Sequence, residues 1–314
     1  MSYTYLEVIK KGINKVLEKI CGKTVKQRQT RIAYIFLIPC IVFFGITFVY
    51  PLIQAGILGF FRVWVGEPAK FVGLEQYKKI LHDGLFWYSV KNTLYFSVLS
   101  VPLIIILALV AALLLSSTTK VILRGFFRSI YFLPITCSFV AVAFVWQYLY
   151  QPDYGWINEI LIKVGLSPQM WLNSPTQVLP SLAIINIWMR LGFDMVIFIA
   201  GLESIPLEYY EAAMIDGASK FQRFKDITLP LLKPQILIVS VLEIINVLKT
   251  FDLPFVATSG GPASSSRVAV MHIYDLAFKW NEMGAGSVAA LFLFALIMGV
   301  TLLQWKIFRK PIEF

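Results

Sequence analysis

Apolar residues fall in six long runs, near 32–61, 92–116, 129–150, 179–202, 235–258 and 285–305, separated by polar stretches. Each run is long enough for a helix to cross the roughly 30 Å hydrocarbon core of a bilayer, which takes about 20 residues. The pattern predicts an all-α polytopic membrane protein with about six transmembrane helices. The first run is about twice the length of a secretory-signal core, and no A-x-A-like cleavage site follows it, so it is expected to persist in the mature protein. Ahead of it, Leu6, Ile9, Ile13, Val16, Leu17 and Ile20 recur at helical spacing among Lys10, Lys11, Lys15 and Lys19. Residues 1–31 are therefore read as a cytoplasmic amphipathic segment on the membrane surface, either an anchoring collar or a partner-docking helix. Residues 32–314 are read as one transmembrane domain.

Composition agrees with lipid as the solvent: 58% of residues are hydrophobic and 15% charged, against roughly a quarter charged in soluble domains. The net charge of +10 is unevenly placed. Lys and Arg number 18 in residues 1–31, 117–128, 203–234 and 306–314, against 8 in 62–91, 151–178 and 259–284. Because cytoplasmic loops carry the excess, both termini are expected inside. No nucleic-acid module accompanies the charge, so the bilayer and not a nucleic acid is its partner. Cys21, Cys40 and Cys137 are too scattered for a disulfide framework, and His82 and His272 show no metal-ligand spacing. Gly22-Lys23-Thr24 resembles the tail of a phosphate loop, but Leu17 stands where that loop needs its first glycine. No metal or nucleotide site is expected on this chain.

The segment 203–234 is the most informative polar stretch. Pro206 suits a first helical turn, and Glu208 and Glu211 lie toward the positive N-terminal end. Gly217 offers a left-handed stop. Ser219 with Gln222 has the spacing of a capping box opening a second helix, which Pro230 is expected to end. Carboxylates mix with Ala212, Ala213 and Met214, small or adaptable side chains that let another surface approach. On these residues alone, a solvated hairpin and a docking lever both stand.

The order Glu211-Ala212-Ala213, three residues, Gly217, nine residues, Ile227-Thr228-Leu229-Pro230 resembles the EAA loop of bacterial ABC importer permeases. Asn92-Thr93-Leu94, Arg124-Gly125-Phe126-Phe127-Arg128 leading into Phe132-Leu133-Pro134, Phe251-Asp252-Leu253-Pro254 and Thr258-Ser259-Gly260-Gly261-Pro262 are similar to the carbohydrate, maltose-type branch. The resemblance implies a bacterial inner-membrane importer built from this chain, a second unlike permease, two cytoplasmic ATPase subunits and an extracytoplasmic solute-binding protein. It implies that this chain binds no cofactor, ATP and Mg being held by the ATPase subunits. It also implies that 203–234 is the cytoplasmic coupling loop, with Glu211 pairing a basic residue of the ATPase and Gly217 as the turn between short helices. A permease for a non-sugar solute is the first alternative, and a secondary transporter or channel the second.

Ionisable residues inside spans are costly and face a bundle interior or a watery cavity. Asn186, Arg190 and Asp194 stack at i, i+4 and i+8, while Glu243, Asn246, Lys249 and Asp252 recur every three residues. Each set serves either helix packing or a solute cavity, to which Trp146, Tyr150 or Trp188 would offer ring faces. Arg190 and Asp194 are expected to satisfy each other and serve packing. Asn246 and Lys249 are the expected cavity residues, because Pro254 cannot donate to the carbonyl of Thr250 and should loosen the helix beside them.

Overall fold

The computed structural model describes residues 25–64, 68–117 and 121–308. Residues 1–24, which include the apolar positions Leu6 to Ile20 of the amphipathic segment and Gly22-Lys23-Thr24, lie outside those residues, and the rest of that segment, 25–31, belongs to the first helix. The chain divides into two units, Met1–Leu58 and Gly59–Phe314. In the first, α1 (Val25–Phe44) passes through a π turn at Gly45–Val49 into α2 (Tyr50–Leu58). Its exposed surface is mostly apolar, with Phe36, Ile41, Phe43 and Phe48 exposed, as suits a lipid-facing helix.

The second unit opens with a two-residue antiparallel ribbon, β1 (Phe61–Arg62) on β2 (Lys70–Phe71), the sheet among the described residues. Then come α3 (Glu75–Leu81), α4 (Gly84–Ser116), α5 (Val121–Phe132), α6 (Phe139–Leu149), α7 (Trp156–Lys163) and α8 (Val178–Glu203). They are followed by α9 (Leu207–Ile215), α10 (Lys220–Arg223), α11 (Leu229–Leu231), α12 (Lys233–Leu248), α13 (Asp252–Thr258), α14 (Ala269–Tyr274) and α15 (Met283–Phe308). Four helices are long and apolar enough to cross a membrane, and six spans result when each of two bent pairs counts as one. The protein is all-α and polytopic, as the apolar runs predict.

One bend and one helix break correct two of the expected spans. The run 129–150 is not one straight helix: Ile122–Thr136 meets Phe139–Leu149 at 99°. Pro134 tightens the chain into a 3-10 turn and Ser138 is extended, so no ladder crosses the corner. The run 235–258 ends at Leu248, and Pro254 does not loosen a continuous helix. It sits in the first turn of the new helix α13, where its missing N–H costs nothing.

α4 and α8 form the longest interface. Ser89, Thr93, Ser97, Ser100, Ala108 and Ala112 line the buried face of α4. Ala108 and Ala112 cluster with Met195, Phe198 and Ile199 of α8, their small size letting that helix approach. Ser89, Thr93 and Ser97 donate back to carbonyls four residues earlier at 2.8 Å, whereas the buried Ser100 hydroxyl has no hydrogen-bond partner among the described residues. On another side of α8 the backbone of α5 comes close at Gly192, where a Cβ would lie 1.8 Å from the Tyr131 carbonyl oxygen. Asp83 caps α4 through Leu85 and Phe86 N–H, and its other oxygen lies 3.0 Å from buried His272 Nε2. Asn92 donates to the Ser264 and Arg267 carbonyls, and Thr93 accepts from Ala269 N–H. The Asn92-Thr93 pair thereby pins the segment after α13 to α4.

Candidate functional site

The loop between α8 and α12 has the local geometry its residues predict, up to one point. α9 carries Glu211 and Ala212 exposed and Ala213 half-buried. Gly217 takes φ +78°, the left-handed region a side chain disfavours. Ser219 then forms the reciprocal capping box with Gln222: Ser219 N–H donates to Oε1 at 2.7 Å, and Gln222 N–H donates to Ser219 Oγ at 3.3 Å. Pro230 does not end the second helix. Helical structure runs from Lys220 to Leu231, a π turn at Phe224–Thr228 absorbing the missing N–H, and the 63° bend falls at Leu232 before Pro234. The Tyr210 and Thr228 hydroxyls, 2.9 Å apart, lock α9 to the helix carrying Ile227, Leu229 and Pro230. Leu207, Met214, Ile215 and Phe221 are exposed around Glu211, so an apolar and an acidic surface lie side by side.

Within the membrane region, the expected Arg190–Asp194 pair is corrected. Arg190 Nε donates to Glu243 Oε1 at 2.9 Å and its Nη2 bonds the same oxygen, joining α8 to α12. Asp194 is fully buried, forms no ion pair with Arg190, and meets the Glu243 carboxyl while staying within electrostatic reach of Arg190. Residues four apart on one helix can pair, but here the Arg190 Nε and Nη2 converge on one Glu243 oxygen across the interface, which gives the guanidinium two charge-assisted hydrogen bonds. Glu243, placed by sequence among the path residues, is thus the interhelical partner. The Arg190 guanidinium also stands 5.2 Å over the Phe193 ring, a contact whose i, i+3 spacing could have been read from sequence.

Asn246 and Lys249 are exposed on the outer side of α12, Lys249 at its C-terminus, and Asp252 is exposed at the start of α13. The three flank the break at 249–251. Tyr150 is instead a core residue, 2% exposed, stacked on Trp171 at 4.8 Å and donating to the Ser181 carbonyl. Trp146 bridges it to Trp188, with ring centres 5.1 and 5.8 Å away, and only Trp188 of the three is exposed. No local pattern signals that Arg124 and Arg128 both bond Glu203, the latter at 2.9 Å, fastening α5 to the end of α8 where the loop begins.

Residues 104–310 match the model of the binding-protein-dependent transport system inner membrane component family. The chain belongs to this family. It is 35% identical over 289 residues to the trehalose/maltose transport system permease protein MalF of Thermococcus litoralis, covering 91% of this chain and 96% of that one. It is 34% identical to the sulfoquinovosyl glycerol permease protein SmoG of Agrobacterium fabrum, covering 88% and 90%. A chain of a crystallised bacterial ABC transporter that imports the acidic polysaccharide alginate superposes with a TM-score of 0.78 at 25% identity, covering 91% of this chain and 98% of that chain. The protein is the permease subunit of an ABC importer and not itself an enzyme, ATP hydrolysis residing in partner subunits. It is a multi-pass membrane protein that works with an ATPase and a solute-binding protein.

Proposed function

We propose that this permease translocates a sugar or oligosaccharide, delivered by an extracytoplasmic binding protein and driven by ATP and Mg bound in two cytoplasmic ATPase subunits. The relatives named for trehalose/maltose, sulfoquinovosyl glycerol and lactose support the substrate class. The observation that carries the mechanism is the rigid two-helix loop. Glu211, with Ala212 and Ala213, sits on an exposed helix, Gly217 turns the chain, and the helix bearing Ile227, Leu229 and Pro230 continues into α12. A lever of this form transmits a displacement. ATP binding shifts the permease only if the ATPase grips two of its conformations unequally, and Glu211 supplies a charge for that grip.

The positive-residue bias supports a cytoplasmic position for the loop and for both termini. Asn246 and Lys249, with Asp252, line the path at the α12–α13 break, where interrupted helices offer polar groups to a solute. The Thr258-Ser259-Gly260-Gly261-Pro262 stretch supports a second, unlike permease across the path. The test is to reconstitute the chain with its co-purifying subunits and measure ATP hydrolysis with binding protein and a panel of sugars, amino acids and peptides. Stimulation by a sugar alone is expected. Stimulation only by an amino acid or peptide refutes the carbohydrate reading.

A further inference from the structure

The C-terminal end of α6 and the segments after it form a trough that the path residues do not use. Two hollows, of about 370 and about 450 Å³, share Gln147, Leu172, Asn173 and Ala257 and so form one channel. Each falls in the roughly 300–1,000 Å³ range of small-ligand sites. One end is walled by the half-exposed rings of Tyr148 and Tyr154, 5.7 Å apart, and the other by Ser259 and Pro262. Buried Tyr150 and Leu172 make the floor.

The trough is built to hold its shape. Asn158, 2% exposed, donates to the carbonyls of Pro152 and Gln169 at 3.0 and 2.9 Å and accepts from Gln169 N–H and Trp171 Nε1 at 3.0 and 2.7 Å. Gly155 N–H donates to the Gln151 carbonyl at 2.9 Å, and a Cβ on Gly155 would fall 2.3 Å from that oxygen, so only glycine closes this turn. Gln147 Nε2 donates to the Val256 and Ala257 carbonyls, which fixes the amide and leaves its oxygen as an acceptor. The side-chain amides of Gln151 and Asn173 and the phenols of Tyr148 and Tyr154 make no hydrogen bond among the described residues, and no charged side chain lines either hollow. Neutral amides and phenols beside ring faces suit a neutral polyhydroxylated ligand: hydroxyls meet the amides and the ligand's C–H face meets the rings. An ionic ligand would find no counter-charge here.

We propose that this trough is a second saccharide subsite at the outer mouth of the path, holding an oligosaccharide along its length before it reaches the α12–α13 break. The proposal rests on the carbohydrate reading and on the topology that puts 151–178 outside. Preorganised polar groups spare the ordering cost of binding, which is what the Asn158 cap provides.

The test uses the assembled importer without its binding protein and titrates maltose and maltotetraose by saturation-transfer NMR. Transfer to maltotetraose from tyrosine ring protons is expected, with weaker transfer to maltose. Asn173→Ala and Tyr154→Ala should each weaken maltotetraose binding about three- to tenfold, the worth of one hydrogen bond or ring contact, and Tyr154→Phe, which keeps the ring, should weaken it less. Absence of saccharide transfer in the wild type overturns the proposal. So does an unchanged titration in both alanine variants. Variants that lose affinity for the loaded binding protein while binding maltotetraose normally make the trough a protein-docking surface, and variants that fail to assemble make it a permease–permease contact; either also overturns it. Sugar-stimulated hydrolysis by the wild type without transfer in the trough sinks the subsite alone, whereas stimulation only by a non-sugar solute sinks the carbohydrate reading.

Discussion

Replacing Arg190 by alanine strands a buried carboxylate between two spanning helices. Glu243 is 0% exposed and Arg190 14% exposed at the side chain, so neither group is solvated by bulk water. Glu243 Oε1 loses both of its donors, and Oε2 has none to begin with. Two charge-assisted hydrogen bonds at about 1.5–3 kcal/mol each, and the cost of leaving a buried charge unpaired, both point to a loss of about 3–5 kcal/mol. Replacing both partners by methionine should restore most of that loss, because a well-packed apolar pair carries no desolvation penalty. Asp194 would blur the result, so the double-mutant cycle belongs in an Asp194→Asn background where one carboxyl answers to Arg190. Unfolding in mixed micelles followed by circular dichroism supplies the four corners, with an expected coupling of at least about 2 kcal/mol. Single costs that add within about 0.5 kcal/mol would refute the reasoning and leave α8 and α12 joined by apolar packing alone.

Glu211→Lys and Gly217→Pro should release the ATPase or abolish solute-stimulated hydrolysis with membrane insertion intact, since proline cannot take φ +78°; copurification with full stimulation in either variant ends that residue's role. Gly192→Ala should sharply lower the yield of folded protein, because its methyl would enter the Tyr131 carbonyl, and normal yield and melting would show that α5 and α8 separate easily. His272 has its pKa lowered from 6.5, mainly by desolvation and further by Arg267, against the raising pull of Asp83 and Asp275. The unfolded state therefore binds the proton first, so stability is complete above about pH 6.5 and falls as pH drops toward the folded value. His272→Gln should flatten the acid limb of a melting-temperature profile, and an unchanged limb would assign it to other groups. Asn246→Ala and Lys249→Ala should reduce uptake or alter sugar preference while basal ATP hydrolysis persists, and unchanged transport of every sugar tested would remove them from the path.

The spans and the loop were legible because their signals are local. Apolar length marks a spanning segment, and a glycine before Ser-x-x-Gln marks a turn and a capped helix, which Gly217, Ser219 and Gln222 form. Long-range partners were not legible. Glu243 lies 53 residues from Arg190, and nothing local says that a guanidinium will reach across to it and not along its own helix to Asp194. Proline was visible but its consequence depended on context: Pro134 makes a corner, Pro230 is absorbed by a π turn, and Pro254 starts a helix. The Asn158 cap escaped notice for the same reason, its four bonds reaching residues up to 13 positions away.

The central claim is that this chain moves a carbohydrate only when a partner hydrolyses ATP. Uptake of labelled sugar into proteoliposomes holding the assembled importer, with ATP inside and loaded binding protein outside, tests it directly. Uptake is expected to require ATP, the binding protein and an intact Glu211, and to vanish when the ATPase subunits are omitted. Sugar uptake by the permease without the ATPase, or driven by an ion gradient in the absence of ATP, would contradict the account.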